Sequence, residues 1–150
     1  MRNKGALFYK LGSYAWILFA LFHALSFFND PAQLLTNDED RRVWQLLQTH
    51  VFHIRGMAIN VSSLMRGFNF YLSIFTLGTG LLNVFAVKAL AADAASLKRL
   101  AAVNVFTSAL LLLVTALFFH LPPLILFGLI AAAFLLSFLL NRAKGIAAKV

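Results

Sequence analysis

The chain contains no cysteine, so disulfides, thiolate metal ligands and cysteine nucleophiles are excluded from the outset. Acid is scarce too: of 150 residues only five are Asp or Glu, and four of those lie between Asp30 and Asp40. Charged residues make up 12% of the chain, about half of what a soluble domain carries. There are three prolines, Pro31, Pro122 and Pro123, so long stretches have no obstacle to helix.

What fills the space is apolar sequence, 61% of all residues. Four runs reach the length that a helix needs to cross a hydrocarbon core of about 30 Å: residues 11–28, 68–87, 100–119 and 123–140. None of them holds an Asp, Glu, Lys or Arg. Proton pumps, ion-coupled transporters and voltage sensors place such groups at depth, so those roles are disfavoured. The first run follows Arg2, Lys4 and Lys10 as a signal peptide would. It is too long and too aromatic for a signal h-region, and it is predicted to stay as the first span.

The run at 68–87 organises the rest. Asn69, Ser73, Thr76, Gly80 and Asn83 are spaced 4, 3, 4, 3 and share one helix face, while the remaining circumference is Phe, Leu, Ile and Val. A spanning helix turns such a stripe towards protein neighbours rather than lipid. The third run repeats the seam more faintly with Asn104, Ser108 and Thr115, and the fourth offers Gly128 and Ala132 as a close-packing small pair. Trp16 and Phe19 read as packing residues of the first span.

Between the first two runs lies the acidic segment. Asp30-Pro31 stops the first helix, and Thr36-Asn37-Asp38-Glu39 fits a capping box with acids in the first turn. The predicted product is an amphipathic helix over about 38–56, with Val43, Leu46, Leu47, His50, Ile54 and Met57 on its apolar face. Whether it runs on into the second span is left open by the sequence. The fold expected is all-α: a four-transmembrane-helix bundle forming one integral membrane domain over 1–150, with this extra helix between spans 1 and 2.

Nine of the thirteen Lys and Arg residues flank the ends shared by the N-terminus, the 88–99 link and the C-terminal tail. The other side holds Arg41, Arg42, Arg55 and Arg66. This asymmetry predicts a multi-pass inner-membrane protein with both termini cytoplasmic, and it explains the net charge of +8 without nucleic acid. Membrane lipid is the expected partner, together with a second copy or the other subunits of a membrane complex.

Arg66-Gly67-Phe68-Asn69, Phe22-His23-Ala24 and Phe118-Phe119-His120-Leu121-Pro122 together resemble a family of small, uncharacterised bacterial four-helix integral membrane proteins. The resemblance runs over nearly the whole chain. It implies four spans and directs attention to His23 and Asn69.

Candidate ligand-binding residues are His23, His50, His53, Arg66, Asn69 and His120. All four histidines fall near the non-cytoplasmic ends of the predicted helices, and His at i and i+3 on one helix can face an ion or a haem. Their spacing matches no specific metal signature. The plainer reading places His50 and His53 among headgroups, His120 at a helix end and His23 in a helix–helix bond. Two functions therefore stand beside each other. One is a non-catalytic accessory or lipid-binding membrane component. The other is a small membrane enzyme or redox subunit using these histidines with haem, a metal or a quinone- or lipid-like substrate. An oligomeric transporter is a weaker third, because it lacks charged coupling residues.

Overall fold

The computed structural model describes residues 4–25, 28, 31–119 and 121–141. Helix α1 spans Lys4–Leu25, followed by a short 3-10 turn at Pro31–Leu34 and helix α2 at Asp38–Thr49. Two strands follow, β1 at Val51–Ile54 and β2 at Met57–Asn60, and then three long helices: α3 at Val61–Ala89, α4 at Ala94–Phe118 and α5 at Leu121–Leu140. Helices α1, α3, α4 and α5 are each long and apolar enough to cross a membrane. The fold is the expected four-helix, all-α membrane type with an amphipathic helix between the first two spans.

Helices α3 and α4 begin upstream of the apolar runs, because their starts are set by polar caps that hydropathy does not register. Asp93 caps α4, its carboxylate accepting from the backbone N–H groups of Ala95 and Ser96, both at 3.1 Å. Residues 94–99, expected as part of a link, are therefore the first turns of α4. Asn60 caps α3 in the same way, accepting from Ser63 N–H at 3.1 Å, which starts that helix seven residues before Phe68. Helix α2 is capped by Asn37, which accepts from Asp40 N–H at 2.7 Å. The N-cap is thus Asn37, one residue later than the expected Thr36.

The expected continuation of the amphipathic helix to residue 56 is corrected. Helix α2 ends at Thr49, and 51–60 form an antiparallel hairpin pairing Val51 with Asn60, Phe52 with Ile59, His53 with Ala58 and Ile54 with Met57. The reason lies in the turn. Arg55 and Gly56 both adopt left-handed backbone, φ 50° and 81°, the geometry of a two-residue hairpin loop. The β-branched and aromatic residues Val51, Phe52 and Ile54 suit the strand before it.

The chain divides into two compact units, Met1–Phe19 with Thr76–Val150, and Ala20–Phe75. In the first, α1 packs antiparallel to α5. Gly12 faces the Phe134 ring, Tyr9 meets Phe134 edge-on at 5.1 Å, and Trp16 and Phe19 meet Phe127 at 5.7 and 4.6 Å. Trp16, Tyr9, Phe134, Leu97 and Ile130 are fully buried. On its other side α1 meets α3 at Gly80, where an added Cβ would lie 2.6 Å from Ile17 Cγ1 and 3.1 Å from Ser13 O. Helix α4 joins α5 through Lys98 Nζ, 4.8 Å above the Phe138 ring, so the lysine stem lies along the bundle end.

This unit has the polarity of a membrane protein. Ser13, Thr76, Asn83, Asn104, Ser108, Thr115, Ser137 and Asn141 are buried, while Leu82, Phe85, Val103, Phe106 and Leu129 are exposed. Trp16 and Phe19 pack as expected. Gly128 does not: an added Cβ there would meet nothing within 4 Å, and Ala132 is exposed. The close pair expected on α5 makes no such contact among the described residues, because α5 instead meets α1 through Phe127 and Phe134.

Candidate functional site

The polar seam is the chemistry-bearing feature of the spans. On α3, Ser73, Thr76, Gly80 and Asn83 are all buried and Asn69 is half-buried, as their 4, 3, 4, 3 spacing requires. Asn83 and Asn104 exchange two hydrogen bonds, each Nδ2 donating to the other's Oδ1 at 2.9 Å. Tyr9 OH donates to Asn83 Oδ1 at 2.5 Å, and Asn104 Nδ2 also lies 3.3 Å from Tyr9 OH. The spare Asn104 N–H reaches Leu100 O at 3.0 Å. Three helices are thereby joined at one level by groups that satisfy one another.

The other interior polar residues are quieter. Ser13 and Ser108 donate to carbonyls one turn back, Tyr9 O at 2.8 Å and Asn104 O at 2.6 Å. Asn141 Nδ2 donates to Ser137 O at 3.0 Å and to Ser137 Oγ at 3.1 Å. Tyr9 and Asn141 are the residues that sequence reading passed over. Tyr9 precedes the apolar run, between Lys4 and Lys10, and Asn141 follows the last run, beside Arg142. Tyr9 carries no periodic signal because its partners lie 74 and 95 residues away, and Asn141 sits one turn beyond Ser137, past the end of the apolar run.

In the unit Ala20–Phe75, the half-buried His23 ring lies beside the Asn69 side chain. These are the two positions singled out in the sequence, and the structure brings them together. His50 instead caps the C-terminus of α2, its backbone N–H donating to Leu46 O at 2.8 Å and its ring edge-on to Phe52 at 4.5 Å. His53 is exposed on β1, opposite Ala58. His50 and His53 are therefore not an i, i+3 pair on one helix, and that geometry for facing an ion is absent. Arg66 is exposed on α3, and His120 lies outside the described residues. Among the described residues, no three His, Asp or Glu side chains are grouped to hold a metal ion.

Asn60 is a further residue that sequence reading missed. Besides capping α3, its Nδ2 donates to Gln48 O and, at 3.3 Å, to His50 O. One side chain thus ties the end of α2 to the start of α3. The signal was present as Asn60-Val61-Ser62-Ser63, an Asn at N-cap spacing before an apolar run.

Outside the spans, the Asp93 carboxyl is held below its ordinary range. The Ser96 side chain contributes most, followed by the Ser96 and Ala95 backbone N–H groups and the nearby Arg99.

No protein-family model, curated protein or solved structure matches the chain.

Proposed function

We propose that the protein is a non-catalytic, multi-pass component of the inner membrane, acting as an accessory or lipid-binding subunit with both termini cytoplasmic. The observation that carries this reading is the Tyr9–Asn83–Asn104 cluster. Its hydrogen-bonding groups are used on one another, which is what a structural clasp between helices requires and a substrate site does not. The cluster sits about 7–8 Å inside Lys88 on α3 and Arg99 on α4, which agrees with a cytoplasmic interface at that end. The open small face of α5 at Gly128 and Ala132 supports packing against another membrane helix.

The test is direct. Protein extracted in mild detergent should show no Soret absorption and no stoichiometric metal, and its density should hold lipid against the apolar faces. Stoichiometric haem or metal would replace this reading with that of a redox or metal-dependent enzyme. One observation favours that second reading: His23, the one histidine placed within a candidate span among the described residues, lies beside Asn69 of the polar seam.

A further inference from the structure

The hairpin is amphipathic. Strand alternation and the observed register put Phe52, Ile54, Met57 and Ile59 on one face, and Val51, His53, Ala58 and Asn60 on the other. The first face is wholly apolar, yet Phe52 is 44%, Ile54 52% and Met57 58% exposed. Helix α2 adds Val43 and Leu46, also exposed, and has no buried residue. A two-stranded hairpin is marginal in water by itself, and its apolar face needs a cover.

We infer that the cover is the phospholipid surface itself, with the Phe52–Ile54–Met57 face set into the headgroup–acyl boundary of the leaflet on the α1–α3 connection side. This rests on the reading of the long helices as membrane spans. Two observations select lipid. The first is continuity: β2 ends at Asn60 and α3 starts at Val61, so the hairpin is joined to a spanning helix with no linker. The second is charge. The hairpin and the first turns of α3, residues 50–66, hold Arg55, Arg66, His50 and His53 and no acid, the acids of α2 lying at its far end, Asp38–Asp40. That is the complement of an anionic headgroup layer, and Arg55 at the hairpin tip reaches it while its neighbours Ile54 and Met57 enter the apolar boundary. Edge-to-edge pairing with a second copy would occupy backbone groups and leave this face uncovered.

The absence of native cysteine makes the test clean. Full-length variants Ile54→Cys and Met57→Cys, and the opposite-face variants His53→Cys and Ala58→Cys, are each labelled with an environment-sensitive fluorophore. They are reconstituted in vesicles of phosphatidylcholine and phosphatidylglycerol containing a lipid spin-labelled near its headgroup. Labels at 54 and 57 should show blue-shifted emission and strong quenching, and labels at 53 and 58 should show neither. Unshifted emission at 54 and 57, equal quenching on both faces, or a blue shift without quenching would each overturn the proposal, the last by revealing a protein cover. A label at Phe106→Cys on α4, read with a lipid spin-labelled near its tail end, separates the causes. Quenching there with none at 54 and 57 removes the hairpin proposal alone, whereas its absence removes the membrane reading as well.

Discussion

Asn83 on α3 and Asn104 on α4 face each other as a reciprocal carboxamide pair, two hydrogen bonds of 2.9 Å closed into a ring. Replacing either asparagine with alanine strands its partner and leaves Tyr9 OH with one neighbour fewer. Each single variant should lose about 1–2 kcal/mol. The double variant Asn83→Ala/Asn104→Ala should lose less than the two losses added, because the pair acts as a unit. Thermal unfolding in mild detergent reads this coupling, and simple additivity would show that the amides act separately.

Glycines on α3 should divide sharply. At Gly80 an added Cβ falls 2.6 Å from Ile17 Cγ1 and 3.0 Å from the Ile17 backbone nitrogen, so the helix axes must part. Gly80→Leu is expected to cost about 1–3 kcal/mol or more. At Gly78 an added Cβ meets nothing within 4 Å, and Gly78→Ala should be neutral or stabilising by up to about 1 kcal/mol. Ile74→Leu on the exposed face should likewise be mild. A destabilising Gly78→Ala would place a neighbour on that face.

The seam that contains Gly80 was legible in the sequence because polar residues at 4, 3, 4, 3 in an apolar run have few other uses. The spans were legible for a similar reason, since length and hydropathy alone decide them. The hairpin was not. His50, Ile54 and Met57 continue the helical period of Val43, Leu46 and Leu47, while Val51, Phe52, His53 and Ile54 equally fit a strand. What decides between them is the left-handed backbone at Arg55-Gly56. Tyr9 is not legible because its partners Asn83 and Asn104 lie on other helices, and Asn60 and Asn141 sit at helix ends, beyond the apolar runs that periodicity marks.

The hairpin turn makes its own prediction. Gly56 sits at φ 81°, where an L-residue pays about 1–2 kcal/mol, so Gly56→Ala should loosen the hairpin. Arg55→Asn should tighten it, since Asn accepts left-handed backbone and Asn-Gly favours this loop. Amide hydrogen exchange at 51–60 should quicken in the first variant and slow in the second. No change in either would mean that the strands do not depend on this turn.

Asp93 links the start of α4 to pH. Its carboxyl is held below the ordinary range by the cap, so the ionised form is favoured in the folded chain. The sign follows: the stabilisation is present above the unfolded carboxyl's pKa and is lost as pH falls through the lower folded value. Wild-type Tm should therefore drop on acidification through the carboxylate range by more than that of Asp93→Asn, which keeps an acceptor but no titrating group. Identical acid profiles would remove Asp93 from the account.

Orientation is open to a simple assay. Reporter fusions near Ala92 and after Val150 should report cytoplasm, and one near Asn37 should report the opposite side, following the nine-to-four basic asymmetry. A non-cytoplasmic reporter after Val150 would reverse the proposed topology.

The antiparallel seating of α1 against α5 has a consequence for how the protein is made. The contacts that bury Gly12, Tyr9, Trp16 and Phe19 come from Phe134 and Phe127 near the far end of the chain, and the Tyr9 hydrogen bonds span 74 and 95 residues. During vectorial synthesis α1 emerges before α3, α4 and α5, and it stays without its aromatic partners until Phe127 and Phe134 have been made. Its Tyr9 hydroxyl and buried Trp16 must be shielded meanwhile by lipid, by the insertion machinery or by a companion helix. Truncation before α5 should then leave a chain that inserts and is degraded, with α1 as the exposed mark of incompleteness.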